Sequence, residues 1–212
     1  HQEQELITKD ATIREIHHRV KNNLQTVASL LRIQSRRTHN DVAREALTQA
    51  MRRVAAIAVV HDTLSEGLSQ NVDFDDVFDR VLLLVAEVAS SHNTTVRPQK
   101  TGSFGTLPSE YATPLALALT ELVTNAVEHG LAGRTDGEVT ISAKRKSDTL
   151  SVRVRDNGGG LPEGKVGSGL GTQIVRTLIQ GELGGTIDWH TLEGEGTEVT
   201  IEVPLLYLTQ RT

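Results

Sequence analysis

The sequence has no cysteine among its 212 residues. That excludes disulfides and thiolate metal sites, and it is compatible with a reducing compartment. Aromatic residues make up only 3%, so the stacking platforms that single-stranded nucleic acids need are scarce. No run of about eighteen apolar residues occurs, and no signal-peptide pattern is present. The chain is therefore expected to be cytoplasmic and to make no membrane contact. It begins with His1 rather than methionine and reads as the excised end of a longer protein.

A strong excess of basic charge is also lacking. Residues 1–70 carry ten Lys/Arg against eight Asp/Glu, a net of +2. Residues 71–212 carry twelve against nineteen, a net of −7. Neither part has the basic surface of a nucleic-acid binder, so no nucleic-acid partner is expected. The contrast predicts two domains of different character, residues 1–69 and 72–212.

What is present begins with a helical period. Ile13, Ile16, Val20, Leu24, Val27 and Leu31 recur at three- and four-residue steps, as one helix face requires. At about 100° per residue, His17 falls near that stripe. His18 falls on the opposite side, with Arg14, Lys21, Asn22 and Gln25. A neutral imidazole there is a usable nucleophile near pH 7 and could accept a phosphoryl group. The same pattern also suits an ordinary solvated face. A polar break at Thr38–Asp41 precedes a second helix with a seam of Leu47, Ala50, Val54, Ile57, His61, Leu64 and Leu68. The two helices predict an antiparallel hairpin, which two copies would pair into a dimeric four-helix bundle. His61 on the seam is expected in the core. Gly67 marks the helix stop.

The second part alternates helices and strands. Helices are expected over 74–89, 108–129 and 172–180. Strands are expected over 94–97, 139–144, 150–155, 186–189 and 198–203. Runs in this order predict an α+β sandwich. On the long helix, Glu121, Asn125, Glu128 and His129 share one face and could hold Mg²⁺ and phosphate, or simply face water. Asp156-Asn157-Gly158-Gly159-Gly160 follows a strand. Its aspartate could accept a hydrogen bond from an exocyclic amine, although the segment also suits a plain turn. Gly167-Ser168-Gly169-Leu170-Gly171 runs into a helix, a possible anion site, without the lysine or spacing of a P-loop. Gly194-Glu195-Gly196-Thr197 opens the last strand.

Taken in order, HHRVKNN, ELVTNAVEHG, DNGGG, GSGLG and GEGT resemble the motifs of two-component sensor histidine kinases. The resemblance is to the subfamily whose phosphoacceptor helix reads HRVKNN, joined to a Bergerat-type (GHKL) ATPase domain, and it covers about residues 10–205. It implies a dimerisation and phosphotransfer hairpin followed by an ATP-binding α/β sandwich, with ATP and Mg²⁺ as cofactors. The histidine before Arg, here His18, would be phosphorylated and would pass its phosphoryl group to an aspartate on a response regulator receiver domain. A sensor segment would precede His1, and the hairpin would form a homodimer. Asn125 would ligate Mg²⁺, Glu121 would polarise the reacting groups, and His129 would lie near phosphate. Asp156 would read the adenine amine, with Gly158 and Gly160 shaping the pocket and Thr197 supporting it. Gly167, Gly169, Leu170 and Gly171 would meet the triphosphate, with 161–168 as a short lid. Asn22, four residues after His18 on the same face, could orient a water for phosphoaspartate hydrolysis through its amide, or be a plain surface asparagine.

Two departures stand out. Arg19 follows the phosphoacceptor where the commoner class has an acid, which leaves Glu15 or Glu121 as the proton acceptor. The lid has no phenylalanine, since the only ones are Phe74, Phe78 and Phe104. The rival readings are a gating ATPase without phosphotransfer and a docking module with a decayed ATP site.

Overall fold

The computed structural model describes residues 2–65, 71–91, 95–131, 133–161, 166–167, 169–192 and 196–208. The side chains of Ile13, His17 and Leu64, the segment 66–70, Thr94, the lid residues 162–165, Ser168 and the segment 193–195 lie outside that description. The chain forms two compact units, His1–Val72 and Asp73–Thr212.

The first unit is a hairpin of α1 (Gln2–Arg37) and α2 (Asp41–Ser65). Its turn closes because Asn40 caps α2. The Asn40 Oδ1 accepts from the Val42 N–H at 2.9 Å and the Ala43 N–H at 3.1 Å, satisfying two donors that a helix start leaves open. On α1, Val20, Lys21, Leu24, Ala28, Leu31 and Ser35 are partly covered. On α2, Ala56 and Val60 are buried, and Ile57 and His61 are half-buried. The covered stripe is rotated from the one the periodicity predicted: Lys21, expected beside His18, is partly covered together with Ala28 and Ser35. Ile16 and Val27 remain 54% and 43% exposed, beside Leu30 at 60% and Ile33 at 51%. One helix can cover only one side of another, so a single hairpin leaves these residues in water. Lys21 Nζ donates to Asp62 Oδ1 at 3.0 Å, tying α1 to α2.

A short strand β1 (Asn71–Asp73) runs across the division. The second unit continues with α3 (Phe74–Ser91), β2 (Thr95–Gly102), β3 (Thr106–Pro108) and α4 (Ser109–Asn125). After these come β4 (Asp136–Arg145), β5 (Thr149–Asp156), α5 (Leu170–Arg176), β6 (Thr186–Leu192) and β7 (Gly196–Pro204). Five strands form one sheet in the order β2-β4-β5-β7-β6. The β2–β4 pair is parallel and the others are antiparallel. Period-two alternation turns one face inward: Val139, Ile141 and Ala143; Leu150, Val152 and Val154; Val199, Ile201 and Val203 are all buried. α4 packs between α3 and α5.

All three phenylalanines are spent in this core. Phe104 lies 4.9 Å from Phe74 and 5.1 Å from Phe78, centroid to centroid, with tilted rings. Each such pair contributes about 0.5–1.5 kcal/mol beyond area burial. Asp75, in the first turn of α3, holds the loop that delivers Phe104. It accepts from Ser103 Oγ at 2.7 Å, the Phe104 N–H at 3.1 Å and the Gly105 N–H at 3.2 Å. Lys100 Nζ lies 3.5 Å away. Burial alone would raise the Asp75 carboxyl pKa, but these donors together hold it below its ordinary value.

Candidate active site

The strand alternation that builds the core also builds the site. On β5 the inward row Leu150, Val152, Val154 ends on Asp156, and on β7 the row starts at Thr197. The register pairs Asp156 with Val139 and sets Arg155 opposite Glu198, so Asp156 and Thr197 adjoin on the inner face. The carboxylate is 5% exposed and Thr197 is 8% exposed. An inward aspartate at the end of an apolar row needs donors. The Gly158 N–H supplies one at 2.9 Å and the Thr197 backbone N–H another. Burial raises the Asp156 pKa above its ordinary value, opposed by those two N–H groups and by the Arg134 charge.

Glycines make this turn possible. A Cβ on Gly158 would run into the Gly130 carbonyl, and one on Gly196 would run into the Asp156 carbonyl. A Cβ on Gly130 would sit 2.8 Å from the Asp156 carboxylate. Gly160 and Gly196 adopt φ of 83° and 103°, a region that side chains disfavour. Gly159, Gly167 and Gly169 differ: a Cβ on any of them meets nothing within 4 Å. Among the described residues no packing demand calls for glycine at these three positions.

α4 carries the other candidates. It is entered from Pro108, whose fixed φ of −58° suits a helix start. Glu121 is 9% exposed, Asn125 and Glu128 are half-buried, and His129 is exposed. The helix does not run uniformly to His129 as predicted. After Asn125 it widens into a π-helical turn over Ala126–Gly130, closed by the Leu131 N–H donating to the Ala126 carbonyl at 2.9 Å. The turn swings Gly130 against the aspartate loop, where the Gly159 N–H donates to the Gly130 carbonyl at 3.1 Å. Asn125 and Asp156 thus belong to directly bonded segments. α5, which starts just after Gly169, packs on α4, bringing Leu170 and Gly171 into the same neighbourhood.

Sequence reasoning missed Gly130, Arg134 and Asn157. A glycine straight after a helical Glu-His pair was the available signal for Gly130. Nothing in the local pattern pointed to Arg134. Among the described residues no group of three or more His, Asp or Glu side chains is arranged to hold a metal.

In the helical unit, His18 and Asn22 are exposed on α1, one turn apart. Glu15 is also exposed, and its Oε1 accepts from Arg19 at 2.9 Å.

A family model described as histidine kinase matches residues 15–89. A second, described as histidine kinase-, DNA gyrase B- and HSP90-like ATPase, matches residues 110–207. The chain belongs to the histidine kinase family. Among its relatives, the sensor histidine kinase PdtaS of Mycolicibacterium smegmatis is 50% identical over 204 residues. That match takes in 94% of this chain and 41% of the relative. The blue-light-activated histidine kinase 2 of Erythrobacter litoralis is 30% identical over 205 residues, 92% of this chain and 58% of that one. The solved histidine kinase domain of the blue-light-activated kinase EL346 from Erythrobacter litoralis superposes with a TM-score of 0.65 at 27% identity. It covers 98% of this chain and 97% of that one. This histidine kinase chain spans about two fifths of the length of the PdtaS proteins. Its α+β fold, a helical hairpin before a GHKL sandwich, is that of the family. Among its described residues no helix is long and apolar enough to cross a membrane.

Proposed function

We propose that this chain is the ATP-dependent kinase core of a cytoplasmic two-component sensor. Residues 1–69 serve as the dimerisation and phosphotransfer hairpin and residues 72–212 as the catalytic domain. The observation that carries the reading is the carboxylate of Asp156. It is buried at the end of an apolar row, turned toward Gly130 and Thr197, and framed by glycines whose side chains would fill its surroundings. A buried acceptor of that kind suits an exocyclic amine of a purine base.

In this reading Asp156 accepts the adenine amine, Gly158 and Gly160 shape the pocket, and Thr197 supports the carboxylate. Gly167, Gly169, Leu170 and Gly171 approach the triphosphate, which explains glycines at 167 and 169 with empty space around them. His129 would lie near phosphate, and Asn125 would hold Mg²⁺, which when bound would supply charge neutralisation for the transferring phosphoryl group. The His18 imidazole attacks the γ-phosphorus of ATP, the bond to the β-γ bridging oxygen breaks, and ADP leaves. Glu15 or Glu121 takes the imidazole proton, with Glu121 also polarising the reacting groups. The phosphoryl group then passes from His18 to an aspartate of a response regulator receiver domain. Asn22, on the His18 face, orients water for the reverse hydrolysis. The exposed Ile16, Val27, Leu30 and Ile33 support a homodimer in which a second hairpin covers them.

Incubation with γ-labelled ATP and Mg²⁺ tests the reading. Acid-labile label is expected on the protein, lost in His18→Gln while the dimer persists. Label surviving in that variant would remove His18 from the role. Free phosphate without protein label would indicate an ATPase only.

A further inference from the structure

Arg134 has no place in the motifs, yet it is bonded to the turn that carries Asp156. The loop after α4 reverses at Gly133, whose φ of +78° suits glycine. The Arg134 N–H then donates to the Leu131 carbonyl at 3.0 Å. Arg134 Nη1 donates to the Asn157 carbonyl at 2.7 Å. Asn157 is itself locked to β4: its N–H donates to the Glu138 carbonyl at 3.2 Å, and its Oδ1 accepts from the Glu138 N–H at 2.8 Å. Two residues on, the Gly159 N–H is held by the Gly130 carbonyl at 3.1 Å. The turn after Asp156 is therefore bonded to β4, to the end of the α4 extension, and to Arg134. Of these three, only the bond from Arg134 is made by a charged side chain.

We propose that Arg134 is a positioning residue for nucleotide recognition: it fixes the Asp156–Gly159 turn through Asn157 and places a positive charge beside the Asp156 carboxylate. The inference rests on the reading of Asp156 as the group that accepts the adenine amine. A carboxylate accepts that bond best when ionised, and burial works against ionisation. The Arg134 charge works the other way. Other charged groups on the packed elements do not replace it. Glu138 on β4 and Glu198 on β7 alternate to the outer face of the sheet, as does Arg155 on β5. Glu128 and His129 are the titratable groups on the helix extension.

The test compares ADP with inosine diphosphate, whose ring carries an oxygen in place of the amine. Binding to the full chain is measured by calorimetry from pH 5 to 8 for wild type, Arg134→Gln and Arg134→Lys. Arg134 is exposed, so melting curves are expected to confirm an intact fold. In Arg134→Gln, ADP affinity should fall about two- to fivefold at pH 7, the range of an exposed charge interaction. Its acid limb should move to higher pH, and inosine diphosphate affinity should stay within twofold. Arg134→Lys should keep the wild-type limb and lose less affinity. In the nucleotide-free chain, ¹³C titration of the Asp156 carboxyl should shift upward in Arg134→Gln. Equal loss for both nucleotides, or no change for either, overturns the inference, as does an unmoved carboxyl titration. A wild type that binds both nucleotides equally would instead overturn the adenine role of Asp156.

Discussion

Asp156→Asn separates what the carboxylate does for the fold from what it does for a nucleotide. In the wild type it accepts the Gly158 N–H at 2.9 Å and the Thr197 N–H while almost wholly buried. Asparagine keeps one oxygen and turns the other position into a donor. However the amide is turned, one donor, from the backbone or from the adenine amine, then faces another donor. Leaving a buried donor unsatisfied costs about 1–3 kcal/mol, or roughly 5- to 150-fold in Kd. Stability should respond differently. The Asp156 pKa is raised above 3.8 in the folded chain, so the folded state holds this proton more tightly than the unfolded state. That contribution is present below pH 3.8 and is lost as pH rises through the folded pKa. Asparagine does not titrate there. The stability of Asp156→Asn relative to wild type should therefore improve as pH rises from about 4 toward 7. Calorimetry with ADP and urea melts of the nucleotide-free chain at several pH values measure both. Unchanged affinity, or a stability difference flat with pH, would refute the reasoning.

Other changes probe different links. Gly158→Ala places a Cβ against the Gly130 carbonyl, so the turn must shift at about 1–3 kcal/mol; thermal melting should show a lower midpoint and calorimetry weaker ADP binding. Gly169→Ala meets open space and should leave the melt unchanged while weakening ATP binding, and equal melting losses in the two variants would contradict the contrast. Asp75→Asn removes the charge and one of the two oxygens that hold Ser103, Phe104 and Gly105, with an expected loss of about 1.5–3 kcal/mol at pH 7. Because the Asp75 pKa is lowered from 3.8, that stability is present above pH 3.8 and fades as pH falls through the folded value, so urea melts at pH 3 should show a smaller difference. Asn22→Ala should leave His18 labelling largely intact and slow dephosphorylation of the cognate regulator; regulator phosphate that decays equally fast with wild type, variant and no kinase would dismiss that role.

Much of this molecule is written in short-range pattern. Three- and four-residue spacing places His18 away from the stripe that α2 covers. Period-two alternation carries Leu150, Val152 and Val154 inward and requires Asp156 to follow them. Asn40 before an apolar period is enough to start α2. Such features depend on backbone geometry and polarity, which are local properties of the chain.

Other features depend on contacts between distant segments, and no local pattern encodes those. The parallel pairing of β2 with β4 joins strands separated by α4, and the sequence pattern predicted β2 too short. The π-helical turn at Ala126–Gly130 exists where the helix meets the aspartate loop. It sets Gly130 against Gly158 and Gly159. The need for glycine at 158, and its absence of need at 169, differ only because one Cβ direction is occupied and the other is open. Arg134 acquires a role through Asn157, twenty-three positions away in the chain. In the strands the sequence alone determined which groups face inward, because period-two alternation is intrinsic to extended backbone. Tertiary structure alone decided which of those groups meet, because close packing places backbone from one segment where another would need a side chain.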